Sequence, residues 1–256
     1  MRGRSITRNA LVFLVVIVVI IGAALYLGMR SYYVRSSARP AITTTQPQQQ
    51  NVTLLDILSM PNISETPSLG PTNTSKVIVI VYDPECPFCA LELNATLPFL
   101  YYISMNTSQA RVLFLGLPIH EFSFQMLEVL DAIYNKYGPK AFLEVLDENY
   151  AFYVYWIIQY EEGKTSQLIM PTNQTLIEMA DSLGYNVTQA QAEEYEGLVN
   201  GTTTFLLKHG ITATPIVLAY NGLGGPVYVQ VGLTNPQYLI CNLTERLSLR
   251  VPGVSC

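Results

Sequence analysis

Lys76–Cys89 reads KVIVIVYDPECPFC. From Val77 to Tyr82 the run is unbroken, apolar and rich in β-branched residues, the pattern of a strand buried on both faces. Asp83-Pro84 interrupts it with a turn signal, and Cys86 and Cys89 follow with only Pro87 and Phe88 between them. Proline has no N–H to donate but fits the first turn of a helix. The stretch therefore predicts strand, turn, then a helix with Cys86 at its N-terminus. There the unpaired N–H groups and the helix dipole favour a thiolate and lower the sulfur's pKa. That chemistry suits thiol–disulfide exchange.

Other uses of a CxxC pair fit less well. Structural zinc needs four ligands, and the remaining cysteines are isolated at Cys241 and Cys256, with His120 and His209 the only histidines. Haem attachment requires histidine directly after the second cysteine, where this chain has Ala90. Further on, Ile211–Val217 reads ITATPIV immediately before another apolar run. Pro215 alone marks a strand start; together with the upstream CPFC it completes the signature of a thioredoxin-type site.

Half of the 256 residues are hydrophobic and 13% are charged, enough for a large core. Residues 1–39 carry six arginines and no acid, whereas residues 40–256 carry eight basic and nineteen acidic residues. An acidic body argues against a nucleic-acid partner. Ala10–Met29 is free of charge, and twenty helical residues span roughly 30 Å, the thickness of a bilayer core. A cleaved signal peptide has a shorter apolar region, so an uncleaved single-pass anchor is expected within residues 1–35. Arginines flank it on both sides and do not set its orientation. Asn-x-Ser/Thr sequons do: Asn51, Asn62, Asn73, Asn94, Asn106, Asn173, Asn186, Asn200 and Asn242, nine of fourteen asparagines, all follow the apolar segment. They point to a glycosylated, extracytoplasmic body, and four cysteines agree with an oxidising compartment.

Residues 36–68, rich in Ser, Thr, Gln and Pro, read as a flexible tether; within it, Leu54–Met60 has the pattern of one or two helical turns docking on the body. Residues 69–256 read as the folded domain. Ala90–Thr96 continues the helix after CPFC, with Pro98 bending or ending it. Arg111–Leu117 is a second buried strand, and residues 121–209 are mostly helical, with Phe124, Leu127, Leu130 and Tyr134 in helical spacing. Tyr150–Tyr160 is aromatic enough for either a peptide-binding surface or a core helix. Ile216–Tyr220 and Val227–Val231 flank NGLGGP, a hairpin by its turn chemistry, and Asn235–Leu249 closes the chain as a helix. The order implies a mixed α/β layer architecture.

The stretch Leu69–Cys89, with Asp83-Pro84-Glu85-Cys86-Pro87-Phe88-Cys89, LPIH at Leu117–His120, and Thr214-Pro215, resembles the DsbA-like thiol–disulfide oxidoreductases. The resemblance runs over roughly Leu69–Arg250. It implies a thioredoxin fold with a helical insertion, here at about 121–209, in a protein acting outside the cytoplasm. It implies that Pro215 is a cis-proline facing the cysteines, that Cys86 is the nucleophile and the more exposed sulfur, and that Cys89 resolves the mixed disulfide. Pro87 and Phe88 would set the redox poise and meet substrate, and the Thr214 backbone would pair with an extended substrate segment. No cofactor is called for. The partners implied are cysteine-containing exported polypeptides and a membrane redox partner that resets the pair.

Two departures stand out. Thioredoxin's close relatives keep a buried carboxylate six residues before the first cysteine, where this chain has Ile80; Asp83 and Glu92 are the candidates to handle the proton instead. Glu85 places a negative charge beside Cys86, which opposes a thiolate. Cys241 and Cys256 are expected to form a structural disulfide, closing a loop of about 15 residues and worth about 3 kcal/mol. His120 is expected in a surface or capping role, and His209 to complement a helix dipole. The expected function is oxidation of exported proteins, with reduction or isomerisation next. A Cu(I) carrier on the same scaffold, using Cys86, Cys89 and a histidine, and a non-catalytic client-binding module are rivals from other classes.

Overall fold

The computed structural model describes residues 52–164, 170–254 and 256. The expected membrane anchor, and the tether up to residue 51, lie outside the described residues. Among the described residues no helix is long and apolar enough to cross a membrane.

The apolar run of the opening stretch becomes β2 (Lys76–Tyr82), the middle of a five-stranded sheet. With β1 (Ser68–Leu69), β3 (Arg111–Gly116), β4 (Ile216–Asn221) and β5 (Tyr228–Val231), the spatial order is β1-β3-β2-β4-β5. β2 and β3 run parallel with Ile80 opposite Phe114, and β4 is antiparallel to β2 with Val81 opposite Ile216. Because side chains alternate along a strand, β2 feeds two cores. Ile78, Ile80 and Tyr82 face one packed with helices, while Val77, Val79 and Val81 face another with Leu113, Leu115, Leu218 and Tyr220.

The second core receives the stretch of the tether expected to dock, and Val52 with it. Val52, Leu54, Ile57 and Met60 are buried in it, so the chain is fixed to the sheet from residue 52 rather than from residue 69. Leu54–Leu58 forms α1, whose N-cap Thr53 and Asp56 bond each other's backbone N–H in a capping box. Its first turn is tied to the hairpin loop by Leu54 N–H to the Gly224 carbonyl at 3.0 Å, and Tyr220 Oη donates to the Val52 carbonyl at 3.1 Å. Each apolar side chain so buried contributes about 1.5–3 kcal/mol, which outweighs the Ser/Thr/Gln-rich composition around it.

After CPFC, α2 spans Pro87–Tyr101 and carries Pro98 in its interior before a π-helical turn at Tyr102–Asn106. Pro98 therefore does not end the helix. The backbone bond it removes costs about 3 kcal/mol, but Leu97, Phe99 and Leu100 around it are buried and hold the helix in place. The insertion comprises α3 (Ser123–Tyr137), α4 (Pro139–Glu161), α5 (Asn173–Ser182), α6 (Gln189–Glu193) and α7 (Glu196–Lys208). Gly138, at φ +87°, makes the left-handed step between α3 and α4. The final helix, α8, covers Pro236–Arg246, and its Cys241 is bonded to Cys256 with the Cα atoms 5.4 Å apart.

Candidate active site

β2 ends at Tyr82, and the Asp83–Glu85 turn delivers Cys86 to the N-cap of α2, with Pro87 in the first helical turn. The Cys89 N–H donates to Cys86 Sγ at 3.4 Å. Cys86 Sγ also faces the Thr214 carbonyl at 3.8 Å, and the Thr214–Pro215 bond is cis. Both cysteines are free thiols. Cys86 is the more open of the two but is recessed, at 3% exposure against 0% for Cys89. Phe88 stands 54% exposed beside it.

The two sulfurs are pushed apart electrostatically. Cys86 is lowered to about 6, first by the hydrogen bond from the Cys89 thiol, then, against the opposing effect of burial, by Thr214 and the N–H groups of Cys89 and Phe88. Cys89 is raised well above its ordinary range, chiefly by burial and then by the neighbouring Cys86 sulfur. Around neutral pH one sulfur is mainly thiolate and the other thiol. Among the described residues, the Thr214 backbone N–H has no backbone partner, and Thr214 is 7% exposed.

The turn before Cys86 is held by the insertion. Tyr150 Oη donates to the Asp83 carbonyl at 3.1 Å, and Asn149 Nδ2 to the Pro84 carbonyl at 2.8 Å. The Asp83 carboxylate is buried and accepts from Glu85 N–H, Ile119 N–H, His120 Nδ1 and Ser123 Oγ. His120 thus anchors the LPIH segment to the turn. With four partners engaged, Asp83 serves to fix the loop.

Glu85 does not act as its place in the sequence suggests. Its carboxylate turns to the start of α3, accepting from Phe122 N–H at 2.6 Å and lying 2.9 Å from Ser123 Oγ, whose one proton it shares with Asp83. Glu85 is thus turned toward α3, and the pKa of the Cys86 thiol is lowered all the same.

Ile80 is buried among the apolar residues of the first core, as its side chain requires. The buried acid comes from the helix: Glu92, one turn after Cys89, is fully buried. Glu92 Oε2 accepts from Gln230 Nε2 at 2.9 Å and Thr234 N–H at 3.0 Å, and Oε1 has no partner. Burial raises Glu92 to about 7, against the pull of Thr234 and Gln230 and with a further push from the Cys86 charge.

The aromatic segment divides. Tyr150 and Tyr153 are buried behind the site, whereas Tyr155 and Tyr160 are 52% and 61% exposed. Sequence reasoning missed Asn149, Tyr150, Ser123 and Gln230. Only Gln230 left a signal, as the one polar residue in the VYVQV strand. His209 Nδ1 lies 2.9 Å from the Phe205 carbonyl in the last turn of α7.

No protein-family model and no curated protein matches the chain significantly. Solved structures do. The catalytic domain of Proteus mirabilis ScsC aligns over 77% of this chain and 100% of its own, at TM-score 0.53 and 16% identity. A double cysteine-to-alanine variant of Wolbachia pipientis alpha-DsbA1 aligns over 77% of this chain and 96% of its own, at TM-score 0.57 and 15% identity. A periplasmic thioredoxin-like protein from Salmonella enterica serovar Typhimurium aligns over 76% and 97%, at TM-score 0.54 and 15% identity. The likeness is one of fold: a mixed α/β thioredoxin fold with a helical insertion.

Proposed function

We propose that this protein is a thiol–disulfide oxidoreductase that oxidises exported polypeptides outside the cytoplasm, with Cys86 as nucleophile and Cys89 as resolving thiol. The observation that carries the reading is the division of the pair: a thiolate-prone sulfur at a helix N-cap, facing the carbonyl of Thr214, and a buried partner that keeps its proton. A client thiolate attacks Cys86 of the Cys86–Cys89 disulfide, giving a mixed disulfide and freeing Cys89. A second client thiol then displaces Cys86, leaving the client oxidised and the pair reduced. A lowered Cys86 pKa stabilises the reduced form, which favours the oxidase direction over reduction or isomerisation.

The Thr214 backbone beside the cis bond offers a client strand a main-chain pairing site, with Phe88 and the half-buried Pro87 forming the contact surface and Pro215 buried behind them. The apolar segment at 10–29 anchors the body to the membrane, where a redox partner re-oxidises the pair. The eight sequon asparagines among the described residues are all exposed or half-buried, so each can be reached by glycosylation. A Cu(I) carrier is less well supported: among the described residues no three metal-ligating side chains cluster, and His120 Nδ1 is engaged by Asp83.

The test is trapping. The full chain with Cys89→Ser, expressed with exported proteins, accumulates mixed disulfides at Cys86 that reductant releases. If no adduct forms, and the wild-type pair does not cycle under any glutathione poise, the enzyme reading fails.

A further inference from the structure

Two cations of this acidic body share a cavity at the end of the sheet opposite Cys86. Lys76 opens β2, and seven residues at about 3.3 Å each set it roughly 20 Å from the turn that carries Cys86. Arg250 follows α8 on the C-terminal tail. With Tyr102, Gln109 and Ser248 they line a cavity of about 780 Å³, within the usual range for ligand sites. Residues 40–256 hold eight basic residues against nineteen acidic ones, yet among the described residues no carboxylate lines this cavity. The ion pairs of the described residues lie elsewhere, at Asp83, Glu144 and Glu162. Lys76 and Arg250 therefore line the cavity without a counter-ion among the described residues.

The walls are set by bonds that leave the charged groups available. Lys76 Nζ donates to the Ser248 carbonyl at 3.1 Å, which orients the ammonium and leaves two of its three protons free. Gln109 clasps the backbone of Arg250. Its Oε1 accepts from the Arg250 N–H at 2.6 Å, and its Nε2 donates to the Arg250 carbonyl at 3.0 Å. The tail is thus held by the Arg250 backbone, and the guanidinium is not spent on holding it. Ser248 and Arg250 also lie inside the loop that the Cys241–Cys256 bond closes. A wall restrained in this way loses little freedom when a ligand arrives.

We propose that this cavity is a binding site for an organic phosphate, with Arg250 and Lys76 holding the phosphate group. The planar fork of an arginine matches two phosphate oxygens at once, and a lysine adds a compact charge. Tyr102 and Ser248 bring hydroxyl groups to the same lining. The cavity is larger than a bare phosphate ion, and the Tyr102 ring, Val251 and Pro252 give the rest of the ligand an apolar wall. The chain that follows the apolar segment joins the body at this same end. Leu54 and Leu55 N–H donate to Gly224 and Leu223 of the loop after β4, and Asn221 of β4 is paired with Lys76. A lipid headgroup and a soluble phosphate ester share the required chemistry. The site stands apart from the cysteine pair and does not depend on the redox reading.

The experiment is calorimetric titration of the full chain in a neutral detergent. The probes are glycerol 3-phosphate, dihexanoyl phosphatidic acid, and glycerol as the uncharged control. Wild type is expected to bind a phosphate probe saturably at a single site, more weakly as salt rises, and not to bind glycerol. Binding of glycerol 3-phosphate assigns a soluble ester, and binding of the lipid probe alone assigns a headgroup. Arg250→Gln keeps the backbone bonds to Gln109 and weakens binding about tenfold or more, the loss of charge-assisted bonds. Arg250→Lys weakens it less, and Lys76→Gln acts as Arg250→Gln does. Lys140→Gln, which removes a cation paired with Glu144 elsewhere, binds as wild type. Absence of saturable binding to either phosphate probe overturns the inference. So does binding that is unchanged in Arg250→Gln, or weakened equally in Lys140→Gln. Should the variants fold poorly, acylation of lysines in the wild type decides, read by peptide mass spectrometry. Protection of Lys76 but not Lys140 by the bound probe supports the site, and equal labelling of Lys76 with and without probe overturns it.

Discussion

Tyr150 Oη donates to the carbonyl of Asp83 across 3.1 Å, joining the long helix of the insertion to the turn that carries Cys86. The bond is buried, and beside it Asn149 Nδ2 satisfies the Pro84 carbonyl. Helix α4 thus sets the position of the nucleophile as much as β2 does. Tyr150→Phe leaves the Asp83 carbonyl only its bond from the Cys86 N–H at 3.1 Å and is expected to lower stability by about 0.5–1.5 kcal/mol in denaturant unfolding. Asn149→Ala has an effect of the same sign.

In the reduced protein the Cys86 thiolate is expected to titrate near pH 6, which absorbance at 240 nm checks. Because the Cys89 thiol is the largest stabiliser of that charge, Cys89→Ala moves the midpoint upward. Thr214→Val moves it in the same direction by less. A midpoint in Cys89→Ala at or below that of the wild type contradicts the proposed division of the pair.

Glu128 and Asp131 lie buried on α3, Glu128 raised to about 7 by burial and then by Glu196 and Glu193, and Asp131 raised by burial and then by Glu128 and Glu65. The folded state therefore keeps protons that the unfolded chain releases in the ordinary carboxylate range, and stability falls as pH rises from about 4.5 toward 7. Unfolding of the oxidised protein, in which Cys86 does not titrate, is expected at lower denaturant at pH 8 than at pH 5. Glu128→Gln flattens the dependence.

Leu54→Ala and Ile57→Ala each remove a side chain sealed into the second core, and each is expected to cost about 2–5 kcal/mol in the full chain. Leu55→Ala, at a position 56% exposed, changes stability by no more than about 0.5 kcal/mol. Equal effects at the three positions would show that α1 does not dock.

Local chemistry explains what the sequence made legible. The run Val77–Tyr82 and the proline after Cys86 each act within a few residues, and the strand and helix start follow from them, whereas the cis bond at Thr214-Pro215 is implied only by the family resemblance. Glu85 was misleading because its partners, Phe122 and Ser123, are 37 and 38 residues away. The docking of Leu54–Met60 is legible as an apolar pattern inside a polar stretch, whereas Val52, which joins the same packing, carries no such local signal. β5 inverts the usual rule: Val229 and Val231 face out and Gln230 faces in, because Glu92 on another element needs a donor there. No periodicity within a strand reports a partner 138 residues distant.

The bond between Cys241 and Cys256 makes each copy of this protein a client before it is a reagent. Four cysteines allow three pairings, and two of them would take Cys86 and Cys89 away from each other. Only the pairing with the tail closed on α8 leaves a working couple at the head of α2. Closing the tail on α8 is therefore itself a two-electron oxidation of the kind proposed for its substrates, and a misdirected one would remove the couple.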